Sequence, residues 1–278
     1  MSTDTTTAGP LQPGRIESRQ PASPPPLCPF PVLEAAPSRP AARLGRRLQN
    51  HHPVTVYLGM LIAGYLVLVP LMALLGLGLL HVVLPWNGLG HDDEHVNVWL
   101  AAHRSGFGNT GSNVVSGIAD IYAIPALVAL TTIIAVITRN WRVAGFILAA
   151  IALESGSYRL TSMLIERHRP DVHRLDVLPV MASYPSGHVA ASIAVFGGLA
   201  LMITSRWRNR WLAVVCWTVA ILLPPAVALA RMYRGMHHPT DTLAGLILGV
   251  CALLAALLVV RTAGAVAERR AERTAAAA

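Results

Sequence analysis

The stretch RHRPDVHRLDVLPVMASYPSGHVAAS, Arg167 to Ser192, lies between two apolar runs and carries a polar cluster at each end. Arg167, His168, Arg169 and Pro170 close the run before it, and Pro185, Ser186, Gly187 and His188 open the run after it. A third cluster follows downstream, from Arg231 through Arg234, His237 and His238 to Asp241, again where an apolar run meets a polar segment. Guanidinium groups grip phosphate oxygens with a planar fork. A helix that opens on Ser-Gly offers unpaired backbone N–H groups to an anion. Two histidines and an aspartate supply a nucleophile, an acid and an orienting group. Set at the ends of apolar helices, the three clusters read as a phosphoryl-transfer site at a membrane surface.

Composition agrees with the membrane. Of the 278 residues, 54% are hydrophobic and only 13% charged, against about 25% charged in average soluble domains. The net charge of +8 comes from arginine alone, because the chain contains no lysine. That charge sits in short segments between apolar runs, so it points to loop orientation in a bilayer and away from nucleic acid. Cys28, Cys216 and Cys251 lack metal-ligand spacing, and no metal or other cofactor is expected.

Outward from the opening stretch, six apolar runs have spanning length. They run from about Val54 to Leu84, Val114 to Ile137, Val143 to Ile165, Val189 to Thr204, Trp211 to Ala230 and Thr240 to Val260. The predicted fold is all-α, an integral membrane bundle of six transmembrane helices. Residues 1–50, rich in Pro, Ser, Thr and Ala, are expected to form a disordered cytoplasmic tail. Residues 51–262 make the membrane domain, and 263–278 an Arg/Ala-rich cytoplasmic tail. Between the first two runs, Val96, Trp99 and Leu100 recur at helical spacing and predict a short interfacial helix.

An even number of spans puts both termini on one side. That side also receives the turns with Arg139 and Arg142 and with Arg206, Arg208 and Arg210, and is strongly positive. Across the membrane, Asp92, Asp93 and Glu94 outweigh Arg104, and the 166–188 loop is neutral. The positive side faces the cytoplasm. The expected location is therefore the plasma membrane, with cytoplasmic termini and all three clusters on the extracytoplasmic face.

The three clusters resemble the motifs of the type 2 phosphatidic acid phosphatase family, which also holds vanadium haloperoxidases and bacterial class A acid phosphatases. That pattern is Lys, six residues, Arg-Pro; then Pro-Ser-Gly-His; then Ser-Arg, five residues, His, three residues, Asp. Arg169-Pro170 fit the first, Pro185 to His188 the second in full, and Arg231, His237 and Asp241 the third. The resemblance covers roughly residues 90 to 260. It implies a metal-independent hydrolase acting on a lipid phosphate or pyrophosphate in the bilayer: phosphatidic acid, phosphatidylglycerol phosphate or a polyprenyl phosphate or diphosphate. In the roles it implies, His237 is the nucleophile that forms a phosphohistidine, and Asp241 accepts a hydrogen bond from its other ring nitrogen. His188 is the general acid, while Arg169, Arg231, Ser186 and the Gly187 N–H hold the phosphate.

Two positions depart from the pattern. The motif lysine falls on Ser162, and the serine before the motif arginine falls on Ala230. Arg159 shares the helix face of Ser162 and is the candidate for the missing positive charge. Arg167, Arg174 and Arg234 read either as lipid-headgroup contacts or as ordinary loop charges. Glu154 and Arg159 lie within a span, where ionisable groups default to a functional or paired reading. Two rival activities stand beside the phosphatase: a lipid phosphotransferase with the same site, and a non-enzymatic binder or transporter of anionic lipids.

Overall fold

The computed structural model describes residues 29–36, 39–86, 88–177 and 182–277. Its helices are α1 (Pro40–Arg47), α2 (Pro53–Gly78), α3 (Leu89–Ala102), α4 (Gly106–Ile118), α5 (Ala123–Ile137), α6 (Trp141–Leu164), α7 (Gly187–Ser192), α8 (Gly198–Arg206), α9 (Arg210–Tyr233) and α10 (Pro239–Ala277). A π-helical turn extends α2 to Val83, and another, Ile193–Gly197, joins α7 to α8. Among the described residues six stretches are long and apolar enough to cross a membrane: Pro53–Val83, Gly106–Ile137, Trp141–Leu164, Gly187–Arg206, Arg210–Tyr233 and Pro239–Ala277. The chain is a multi-pass, all-α membrane protein, as its hydropathy required.

The spans form an inner and an outer layer. About half of each apolar window is buried in the third, fourth and sixth spans, at 50, 50 and 56%, against 17% in each of the other three. The clusters lie at the ends of the inner three, and the third cluster begins on the last turn of α9, where Arg231 sits. Phe146, Ala149, Ala150 and Leu153 of α6 pack with Ala252, Ala256, Val259 and Val260 of α10 in the main apolar core. The outer spans present Leu66, Val67, Leu74, Val215 and Ile221 outward, the surface that faces lipid.

Close approach of α10 to α7 depends on two glycines one turn apart. A Cβ at Gly245 would lie 2.4 Å from the Ser186 carbonyl oxygen, and one at Gly249 would lie 2.7 Å from that of Ala190. Small residues at this spacing are what let membrane helices meet backbone to backbone. The contact brings the Ser186 turn against the first turn of α10, where the Ser186 N–H donates to the Asp241 carbonyl at 3.0 Å.

Three expectations need correction. The second span starts at Gly106, not near Val114, and it breaks at residues 119–122 between α4 and α5. Asp120 is the single charge in the break and apolar residues continue on both sides of it, so average hydropathy does not register the interruption. The expected disorder of residues 1–28 lies outside the described residues, but part of the remaining tail is ordered. Leu33 is fully buried in the core, the Arg261 Nε donates to the Val32 carbonyl at 2.8 Å, and Gly45 of α1 sits against Ala265. A few small and apolar residues suffice to dock this segment, although its average composition is that of a coil. Finally, residues 263–277 do not form a separate tail but continue α10. Ala, Arg and Glu are strong helix formers, and an Arg142–Glu268 ion pair at 2.5 Å ties the extension to α6.

Candidate active site

The ends of α6, α9 and the start of α7 and α10 converge at one end of the bundle. Between them lies a cavity of about 200 Å³ lined by His237, His188, Gly187, Arg169, Arg159 and Tyr158, with Glu154 and Ser155 further along α6. The three sequence clusters thus reach one cavity.

His237 follows a tight turn after α9 in which Gly235 adopts φ +72°. A side chain there would be strained, and its Cβ would press to 2.8 Å from Val172. The turn buries His237, and its Nδ1 bonds to the Ser183 carbonyl at 2.7 Å. A carbonyl only accepts, so Nδ1 carries the proton and Nε2 keeps its lone pair. Burial, with the Arg231 and Arg169 charges beside it, holds the His237 imidazole well below its usual value. The ring is therefore neutral and nucleophilic at neutral pH.

The expected Asp241–His237 hydrogen bond is not formed; this is a correction to the motif reading. Asp241 is fully buried and its carboxylate turns the other way. One oxygen accepts from Arg167 Nη1 at 2.5 Å, and the other accepts from the His238 N–H at 2.8 Å and meets His238 Nδ1 at 3.1 Å. Arg167 also donates to Thr240 Oγ1 at 2.7 Å and pairs with Asp93 of α3. Glu94, the next residue, meets His238 Nε2 at 2.9 Å and accepts from the Asp171 N–H at 2.9 Å. Helix α3 is therefore fastened to the first turn of α10 by buried charge. A carboxylate in the first helical turn also suits the helix dipole. Asp241 fixes the His237–His238 turn through backbone and neighbours, and the Ser183 carbonyl fixes the ring.

The cationic residues divide. Arg231 is 2% exposed; its Nη1 donates to Ser116 Oγ at 2.8 Å and to Asp176 at 2.7 Å, while its Nε and Nη2 have no acceptor among the described residues. Arg169 is buried, donates to the Met236 carbonyl and lines the cavity; burial lowers the affinity of its guanidinium for its proton. Arg234 grips Asp176 with Nε at 2.9 Å and with Nη2. Burial pushes the Asp176 carboxyl up, but the bonds and charge of Arg234 and Arg231 outweigh that and hold it below the usual range. Arg167 and Arg234 are thus committed to buried ion pairs and not to headgroups, whereas Arg174 is exposed.

Ser186 Oγ is fully buried and has no partner among the described residues, at the opening of α7. His188, on the next turn of chain, places Nε2 3.5 Å from Asp120, which stands in the break between α4 and α5. Irregular backbone at membrane depth is tolerated where it is buried in protein or lines a cavity, and Asp120 lines this one. Arg159 is exposed on the cavity wall, whereas Ser162 is turned away and donates to the Arg159 carbonyl at 2.9 Å. Sequence reasoning missed Asp93, Glu94, Asp120, Asp176 and Ser183 as partners of the site; polar residues inside or beside apolar runs were the signal available for the first four. Among the described residues no group of three or more His, Cys, Asp or Glu side chains is arranged to hold a metal ion.

Comparison with known proteins follows the same outline. Residues 142–265 match the model of the PAP2 superfamily. Over 107 residues the chain is 31% identical to an undecaprenyl-diphosphatase of Sulfolobus acidocaldarius, spanning 38% of this chain and 48% of that protein. Over 117 residues it is 34% identical to a decaprenylphosphoryl-5-phosphoribose phosphatase of Mycobacterium tuberculosis, spanning 40% of this chain and 56% of that protein. The chain thus spans about half the length of these curated relatives. A crystal structure of a transmembrane PAP2 type phosphatidylglycerolphosphate phosphatase from Bacillus subtilis shares the fold, with a TM-score of 0.55 at 21% identity over 73% of this chain and 93% of that one.

Proposed function

We propose that this protein, whose residues 142–265 match the PAP2 superfamily, is a membrane phosphatase that hydrolyses a lipid phosphate or diphosphate through a phosphohistidine. The observation that carries the reading is the single cavity lined by His237, His188, Arg169, Gly187 and Arg159 at one end of the bundle. The relatives' names, undecaprenyl-diphosphatase and decaprenylphosphoryl-5-phosphoribose phosphatase, support a polyprenyl-linked phosphate among the candidate substrates.

In this reading the phosphate oxygens take the place opposite the donors that have no partner among the described residues. These are Arg231 Nε and Nη2 and Ser186 Oγ, joined by Arg169, Arg159 and the Gly187 N–H. His237 Nε2 attacks phosphorus as the bond to the leaving oxygen breaks, and His188 gives that oxygen its proton. A water molecule, losing its proton to His188, then attacks the phosphohistidine and releases inorganic phosphate. Positioning and charge stabilisation supply most of the rate in such transfers, which suits a site built from preset guanidinium groups. The basic turns and termini support an extracytoplasmic site in the plasma membrane with both termini cytoplasmic.

The test is phosphate release by the purified full chain on a panel of lipid phosphates with chelator present, together with acid-labile phosphoenzyme trapping. His237→Ala is expected to remain folded and to lose both signals. Phosphoenzyme formation in His237→Ala would overturn the nucleophile assignment. For orientation, a cysteine at Val177 is expected to react with an impermeant maleimide on intact cells and one at Asn209 to stay silent; the reverse pattern would move the site to the cytoplasm.

A further inference from the structure

We infer that Asp120 is the positioning residue of the general acid. It holds the Nε2–H of His188, so that the other ring nitrogen, Nδ1, gives a proton to the leaving oxygen and takes one from the attacking water. The inference rests on the phosphatase reading above. It adds a residue that lies outside the matched region 142–265 and outside all three sequence clusters.

Asp120 stands in the break at residues 119–122 that divides the second span into α4 and α5. A charge within a span is costly and calls for a partner or a function. Among the described residues its one ion pair is with His188, Oδ1 lying 3.5 Å from Nε2. That nitrogen is buried and has no hydrogen bond among the described residues. Catalytic contacts of this length often tighten when substrate fills a site. The neighbours of both residues are anchored together. Ala119 and Val189, next in the chain to Asp120 and His188, pack in one buried cluster with Val227 and Ala228 of α9. The Asp120 carbonyl accepts the Ile124 N–H at 3.1 Å, which fixes the break to the start of α5.

Other carboxylates around the site are committed elsewhere. Asp176 is taken by Arg231 and Arg234, and Asp241 by Arg167 and His238. Glu154 accepts from the Ser155 hydroxyl. Arg231, placed for the phosphate, repels an imidazolium at His188, whereas Asp120 and, less strongly, Asp176 attract it. A carboxylate only accepts, so Asp120 keeps a proton on Nε2 in both states of the ring. In the first step the Nδ1 proton passes to the leaving oxygen as the P–O bond breaks and the bond from His237 Nε2 to phosphorus forms. In the second, Nδ1 takes a proton from water as the water oxygen bonds to phosphorus and the N–P bond breaks. The imidazolium is restored, Asp120 stays ionised throughout, and one water is consumed for each ester cleaved.

The probes are phosphatidic acid and phosphatidylglycerol phosphate, whose leaving oxygens need a proton, and p-nitrophenyl phosphate, whose leaving oxygen does not. Each is offered to the purified full chain, and kcat/KM is read because it ends with departure of the leaving group. Asp120→Asn keeps the size of the side chain. It should lower kcat/KM by about 10- to 100-fold on the lipid esters, but by less than about 3-fold on the aryl ester. In a His188→Ala background the same substitution should change the lipid rate by less than about 3-fold, because the two residues act as a unit. Equal losses on both kinds of ester overturn the proposal, as do a loss undiminished in the His188→Ala background and a wild-type rate for Asp120→Asn. If Asp120→Asn fails to fold, Asp120→Ser is read by the same ratio and the same double variant. A wild type that cleaves the aryl ester or farnesyl diphosphate but neither lipid monoester overturns the proposal and leaves the phosphatase reading standing; phosphate release from none of them counts against that reading itself.

Discussion

Removing Arg167 should damage this protein more than removing any other loop charge, and the reason can be worked from its surroundings. Its guanidinium is 7% exposed and is held between Asp93 and Asp241, whose side chains are 4 and 0% exposed. Arg167→Met keeps the volume of the side chain but leaves two buried carboxylates facing an apolar group. Breaking a buried pair in this way typically costs about 3–5 kcal/mol, on the order of 10 °C in Tm for a protein of this size. Turnover should fall as well. Asp241 holds the His238 N–H, and its own carbonyl receives the Ser186 N–H, so its displacement moves both the nucleophile turn and the phosphate cradle. A shift of about 1 Å at such a centre can cost on the order of 100-fold in rate. The assay is thermal unfolding in detergent with phosphate release on the same preparations, for Arg167→Met, Asp93→Asn and the pair. Asp93→Asn removes one of the stranded charges, so the double variant should be more stable than the sum of the singles predicts, with a coupling of roughly 1–3 kcal/mol. Additive losses, or an Arg167→Met protein as stable as wild type, would refute the reasoning.

Other consequences can be checked on the same preparations. His188→Ala should lose far less rate on activated aryl phosphates, whose leaving group needs no proton, than on lipid phosphates; equal losses would remove the general-acid role. Arg159→Ala should lower turnover by about 10- to 100-fold if its charge meets a phosphate oxygen, and Ser162→Lys in that background should restore part of it. Because burial and neighbouring cations depress the His237 value, lowering the pH through the ordinary histidine range near 6.5 should leave the nucleophile neutral. Once corrected for ionisation of the substrate phosphate, the acid limb of kcat/KM should then fall below that range, and a limb at about 6.5 would contradict the environment described here.

The sequence alone determined the six spans, their alternation and the end of the bundle at which the clusters lie. A bilayer enforces about 20 apolar residues per crossing, and that demand is written locally, run by run. The motif residues His188, Arg169, Arg231 and His237 were legible for a similar reason, since their spacing along the chain survives at the helix ends. Which side chains would touch was not legible. Asp241 was expected to hold His237, yet it is taken by Arg167 and His238, and the ring is oriented by the Ser183 carbonyl. Asp93 reaches Thr240 across 147 positions, and Asp120 meets His188 only because the second span breaks beside it. Hydropathy reports how long a helix is but not how it is rotated about its axis or how closely it approaches its neighbour. In this protein that rotation and approach are set where Gly245 and Gly249 let α10 press on Ser186 and Ala190, a contact between segments that no local pattern joins.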